Sequence, residues 1–160
     1  MKDRITCFKL NWHNWGLCCG DNVVQEEVII YRKKNLMVFK ELNGYGVVCS
    51  CEIIYIEKDK AEQLFDFLEQ HCEDWESDYM VEVDDGSAWT VRMWYSSHKV
   101  KKIRGTAYYP PHGKKIDQFI RSFIEENQSI IAPKLFGYCE DINALMDSDF
   151  YMASSSRLSK

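Results

Sequence analysis

Seven cysteines and four histidines have the most chemistry to offer in this chain, and their spacing decides what they can do. Cys18-Cys19 follows His13, Cys49 and Cys51 are separated by one residue, and His71 adjoins Cys72. Zinc needs N/S ligands converging tetrahedrally, usually offered as paired Cys-x-x-Cys turns. None of these groups has that spacing, so neither a metal site nor a cofactor is expected. Cys49 and Cys51 fall on one face of a strand, which suits buried small apolar side chains. A nucleophilic cysteine needs a histidine within hydrogen-bond reach. His71 and Cys72, as neighbours on a helix, point about 100° apart and do not pair directly. Asp84-Asp85 offers two carboxylates, but ahead of Gly86 their ordinary work is bonding a turn backbone.

No phosphate loop, nucleophile elbow, metalloprotease helix or dinucleotide fingerprint occurs in the sequence. No catalytic residue can therefore be named. A small enzyme with a Cys/His or carboxylate site stands as an alternative without a reaction class.

Charge carries more information. From Glu57 to Asp85 acids dominate, and from Arg92 to Arg121 bases dominate. The leading expectation is a non-enzymatic protein-binding module of inhibitor or immunity type. Glu69, Glu73, Asp74, Glu76 and Asp78 would dock on a basic protein partner such as a nuclease, because acidic surfaces steer such partners by mimicking nucleic acid. The bland counterpart is a pair of solvated faces that keep the chain in solution. A third reading places single-stranded nucleic acid on Arg92, Trp94, Lys99, Lys101, Lys102 and Arg104, where bases and rings together suit backbone contact and stacking. The formal net charge of −5 puts that reading behind the other two. Trp12 and Trp15 straddle His13-Asn14 and would serve either as interface anchors or as a plug at one end of a core.

Positioning these groups falls to a regular series of elements. Ile5 to Trp12 reads as a strand with Thr6, Phe8, Leu10 and Trp12 on one face. Glu27 to Arg32 and Leu36 to Leu42 read as strands joined at Lys33-Lys34-Asn35, and Asn43-Gly44 turns the chain into a strand over Gly46 to Ile56. Asp59 and Glu62 suggest a capping box at the start of a helix that buries Ala61, Leu64, Leu68 and Cys72. Tyr79, Val81 and Val83 lead through Asp84-Asp85-Gly86 into a return strand with Trp89, Val91, Met93 and Tyr95 inward. The spacing of Val100 and Ile103 suggests a bulge. Beyond Pro110-Pro111, Ile116, Phe119, Ile120, Phe123 and Ile124 form the stripe of a second helix.

Runs of strands closed by a helix predict an α+β fold, an antiparallel and mostly meander sheet with two principal helices on one face. One domain is expected over residues 1–152, with a flexible tail over 153–160. The N-terminal residues lack an apolar signal core, no apolar run has membrane-spanning length, and an odd number of cysteines suits reduced thiols; a cytoplasmic protein without a membrane partner is expected. The arrangement Asp85-Gly86-x-x-Trp89, Gly105 and Tyr109-Pro110 before an amphipathic helix resembles a pattern in small uncharacterised bacterial and phage proteins. The likeness implies the fold of the chain's middle and no function.

Overall fold

A computed structural model describes residues 2–14, 22–82 and 87–127. Its elements are β1 (Ile5–Asn14), β2 (Val23–Tyr31), β3 (Leu36–Asn43), β4 (Val48–Tyr55), α1 (Lys58–His71), β5 (Asp78–Tyr79), β6 (Ser87–Tyr95), β7 (Val100–Thr106) and α2 (Gly113–Asn127). The described strands form one sheet in the order β4-β3-β2-β1-β6-β7-β5. The fold is α+β, with a mostly antiparallel sheet and two helices. Residues 153–160, where a tail is expected, lie outside the described residues, as does the Asp84-Asp85-Gly86 turn.

The sheet is mixed rather than purely antiparallel. β5 does not form a hairpin with β6; it runs parallel to the far edge of β7, pairing Asp78 with Arg104 and Tyr79 with Gly105. The inner edge of β6 is already occupied by β1, in register from Asn14↔Ser87 to Ile5↔Tyr95. Val81 instead satisfies its backbone through the Thr106 hydroxyl, which accepts from Val81 N–H at 2.7 Å and donates to Val81 C=O at 2.8 Å. Nor is there a bulge in β7. Its pairing with β6 is continuous from Ala88↔Thr106 to Trp94↔Val100, and Val100 and Ile103 simply face opposite sides.

Register shifts lie elsewhere: at Val23/Gln25 between β2 and β3, at Glu41/Leu42 between β3 and β4, and in β1 between Ile5 and Cys7. Ile5 thereby takes the buried place expected for Thr6, whose hydroxyl donates to Trp94 C=O instead. Beyond the shift, Phe8 is flanked by Ile30 and Met93, and Leu10 by Val28 and Val91. These residues join Leu64, Phe65 and Leu68 of α1 and Ile116, Ile120 and Phe123 of α2 in one hydrophobic cluster. Trp89 is its largest fully buried side chain. The indole N–H donates to Tyr108 C=O at 2.9 Å, and a side chain at Gly105 would drive into the ring.

Helix α1 starts without the expected capping box. Glu57 occupies the N-cap position and makes no side-chain cap bond, while Asp59 lies in the first turn. Glu62 is drawn away by Arg32, whose Nε and Nη2 donate to its carboxylate at 3.1 and 2.7 Å. Entry into the helix is fixed instead by Ile56 N–H donating to Asn35 C=O at 2.8 Å.

Candidate functional site

Alternation along each strand divides the sheet residues into two sets. One set belongs to the hydrophobic cluster. In the other, Ile53, Tyr55, Thr90, Arg92, Lys102 and Arg104 are all exposed, Tyr55 to 77%. Strand pairing arranges this second set in rows. Lys9 on β1 stands opposite Arg92 on β6, and Arg92 opposite Lys102 on β7. Directly opposed residues have Cβ atoms about 4.5–5.5 Å apart, and like charges so placed repel. Lys9 has a counterion, its Nζ 3.3 Å from Glu27. Among the described residues, Arg92 and Lys102 have no carboxylate within ion-pair distance.

The next row carries rings. Tyr55, Leu36, Tyr31, Cys7 and Trp94 are successive neighbours across β4, β3, β2, β1 and β6. At about 4.8 Å per strand, the three aromatic residues recur roughly every 10 Å. Lys34 Nζ lies 5.4 Å from the Tyr31 ring centroid, a cation–π distance. One side of the sheet thus combines Lys9, Lys34, Lys40, Arg92, Lys102 and Arg104 with Tyr31, Tyr55 and Trp94.

Of the residues singled out in sequence for nucleic acid, Arg92, Lys102, Arg104 and Trp94 share this face. Lys101 does not, because neighbours on a strand alternate, and Lys99 precedes β7. Lys101 stands opposite the buried Met93, and its Nζ donates to Cys72 C=O and Glu73 C=O at 3.3 and 2.6 Å. It caps the carbonyl end of α1. Lys99 lies 5.4 Å from the Tyr95 ring centroid. Arg121, the last base of the run, is on α2 beside Asp117.

The acidic stretch is also divided. Glu69 is buried at the centre of a clamp, accepting from Ile5 N–H at 2.9 Å and from Arg32 Nη1 at 2.6 Å, with Arg4 Nε 3.0 Å away. Burial alone would raise its pKa, but the Ile5, Arg32 and Arg4 bonds outweigh it and hold the pKa below the usual value. Glu69 therefore binds its own chain. Asp78 accepts from Arg104 Nη2 at 2.8 Å and from Met80 N–H at 2.8 Å. Glu73, Asp74 and Glu76 remain exposed on the turn after α1. Trp12 is buried, 8% exposed and opposite Trp89, so it is not an exposed anchor; Trp15 lies outside the described residues.

Two further constellations escaped the sequence reading. On the helix side, the row Trp12–Glu26–Glu41–Ser50 places carboxylates next to the core. Burial raises Glu26 to about 7, with help from the charges of Glu41 and Asp117. Ser50 Oγ donates to Glu41 at 2.8 Å, and Arg121 Nη1 is 3.6 Å from the buried Asp117. The other is a ring stack, with His71 4.4 Å from His112 and 4.5 Å from Phe67 between centroids. Burial pushes the neighbouring Cys72 thiol up to about 12, away from thiolate chemistry. Cys49 and Cys51, expected inside, are exposed; alternation puts Cys51 on the face of Ile53 and Tyr55 and leaves the buried face to Ile54. Among the described residues, no group of three or more His, Cys, Asp or Glu side chains is placed to hold a metal ion. No described helix is long and apolar enough to cross a membrane.

Comparison with family models, curated proteins and solved structures gives no match to this chain.

Proposed function

We propose that the chain is a binding module for single-stranded nucleic acid, and that the strand lies on the exposed face of the sheet. In this reading both helices pack on the opposite face and leave the rows above open. The observation that carries it is the run Lys9–Arg92–Lys102, three cations directly opposed across neighbouring strands. Such a run is unfavourable in the unliganded protein, and a phosphate backbone along it supplies the missing counterions. Tyr31, Tyr55 and Trp94 in the adjoining row offer stacking surfaces that accept any base. The overall charge of −5 does not oppose this. A local field within a screening length of about 8 Å governs the contact, and carboxylates of the helix-side clamp are already neutralised by Arg4 and Arg32.

Fluorescence anisotropy with a single-stranded oligonucleotide tests the reading. Affinity should fall with salt, with a log–log slope of about −0.7 per neutralised phosphate, and the double variant Arg92→Ala/Lys102→Ala should lower the slope by about 1.4. Trp94→Ala should weaken binding by about 1–3 kcal/mol without changing that slope. Binding that ignores both salt and the double variant sinks the reading.

A second reading keeps the acidic turn as a docking surface for a basic protein. What favours it is that Glu73, Asp74 and Glu76 are exposed within four residues and their carboxylates form no ion pair within 4 Å among the described residues, although Lys101 lies near Glu73 and Asp74. Their reversal to lysine, with the association rate to a captured partner as readout, separates it from the first.

A further inference from the structure

Beside the basic row, the sheet opens into a cavity of about 360 Å³ between β5 and the paired strands β6 and β7. Its polar lining is Ser77, Asp78, Thr90, Arg92, Lys102 and Arg104. The last four form a two-by-two block, Arg92 opposite Lys102 and Thr90 opposite Arg104, with all four exposed. β5 closes the outer side by pairing Asp78 with Arg104. We propose, building on the reading of this face as a polyanion surface, that the cavity is a site for a phosphate monoester, the terminal phosphate of a strand or of a free nucleotide.

Charge distinguishes a monoester from a backbone phosphate. Three cations against one carboxylate leave two positive charges in the lining. A backbone diester carries one negative charge, whereas a monoester carries about 1.5 to 2 at pH 7 and three terminal oxygens. The geometry agrees with the charge. Asp78 Oδ2 accepts from both Nε and Nη2 of Arg104, at 3.2 and 2.8 Å, while its Oδ1 accepts from Met80 N–H. That carboxylate is satisfied within the chain, and it fixes the plane of the guanidinium. A guanidinium held in place loses less freedom on pairing with an oxyanion than a swinging one. Arg92 and Lys102 bring cations with no acidic partner among the described residues, and the Ser77 and Thr90 hydroxyls add donors of the type that phosphate oxygens accept. The volume lies at the small end of ligand cavities, enough for a phosphate with its sugar attached.

The test compares oligonucleotides of one sequence that end in phosphate or hydroxyl, together with a nucleoside monophosphate and inorganic phosphate, each titrated against the whole chain. A terminal phosphate should tighten binding roughly tenfold, the effect of one charge-assisted contact. Arg104→Gln should erase that difference, while the hydroxyl-ended strand should lose no more than the general contribution of one cation on this face. The conservative Arg104→Lys should restore part of the preference, and circular dichroism checks that each variant is folded. If the nucleoside monophosphate binds in an Arg104-dependent way while no oligonucleotide binds, the cavity stands and the strand reading falls. If oligonucleotides bind without regard to their ends and the monophosphate does not bind, the cavity assignment is overturned and the strand reading survives. Absence of all binding overturns both. Equal affinity for nucleoside monophosphate and inorganic phosphate would assign the source as the phosphate group alone.

Discussion

Between α1 and the ends of β1 and β2, both arginines meet carboxylates: Arg32 is divided among Glu62, Asp66 and Glu69, and Arg4 reaches the same three. Across the sheet, Lys9, Arg92 and Lys102 face one another, and among the described residues only Lys9 of the three has a carboxylate within ion-pair distance. The difference follows from solvent. Arg32 and Glu69 expose 10% and 5% of their side chains, so either one left alone would be an uncompensated buried charge. Exposed Arg92 and Lys102 are screened by water and ions, so their repulsion is tolerable and their charge stays available to a partner. Charge on the helix side belongs to the fold. Charge on the exposed side is the kind that a ligand can use.

The comparison breaks first if the helix side does not hold the fold together. Trp89→Ala should cost about 3–5 kcal/mol in denaturant unfolding, as buried large-to-small changes do, whereas Tyr55→Ala on the exposed face should cost well under 1 kcal/mol. Similar midpoints for the two variants would mean that the faces are reversed. Next, Arg32→Ala should cost about 3 kcal/mol, the low end for breaking a buried pair because Arg4 remains on Glu69. An unchanged midpoint would show that the clamp is merely surface pairing.

Titration sharpens the contrast within the helix side. Glu26 is raised to about 7 from an ordinary 4.5, so the native state favours its protonated form. Its contribution is present in full below about pH 4.5 and is lost as pH rises through about 7, by about 3 kcal/mol. Glu62, held low by Arg32, and Glu69, held low by Ile5 and both arginines despite burial, act in the opposite sense. Their contribution is full above 4.5 and is lost as pH falls through their depressed native values. Thermal melts against pH should peak near pH 4.5–5, and Glu26→Gln should flatten the decline toward pH 7. A wild-type stability that climbs steadily from pH 5 to 8 would contradict this. The smallest expected effect belongs to the exposed row. Arg92→Ser and Lys102→Ser should each change stability by less than about 0.5 kcal/mol, with any change favourable, because each removes a like-charge opposition. A loss above about 1 kcal/mol in either would show those bases holding the fold.

Much of the architecture is legible in local pattern. The alternation of Trp89, Val91 and Met93, the Asn43-Gly44 turn and the stripe of α2 each rest on neighbours in sequence, and each lies where that pattern puts it. At the turn, Asn43 Oδ1 accepts from Tyr45 and Val47 N–H, and Gly46 takes a φ of +76°. The capping box failed because a distant arginine competed for Glu62, and β5 strayed because β1 had taken the edge it was expected to use. Charge misled for a simpler reason. A linear run such as Lys99 to Arg104 sends alternate side chains to opposite sides of a strand, so its density in sequence is halved in space.

The chain by itself determined which residues within one strand share a side, because side-chain direction repeats every two residues. Only the tertiary structure decided which strands are neighbours. Antiparallel contact between β1 and β6 joins parts of the chain far apart in sequence, and no local preference encodes that contact. It set Lys9 beside Arg92, carried the row on to Lys102, and turned three scattered bases into one surface.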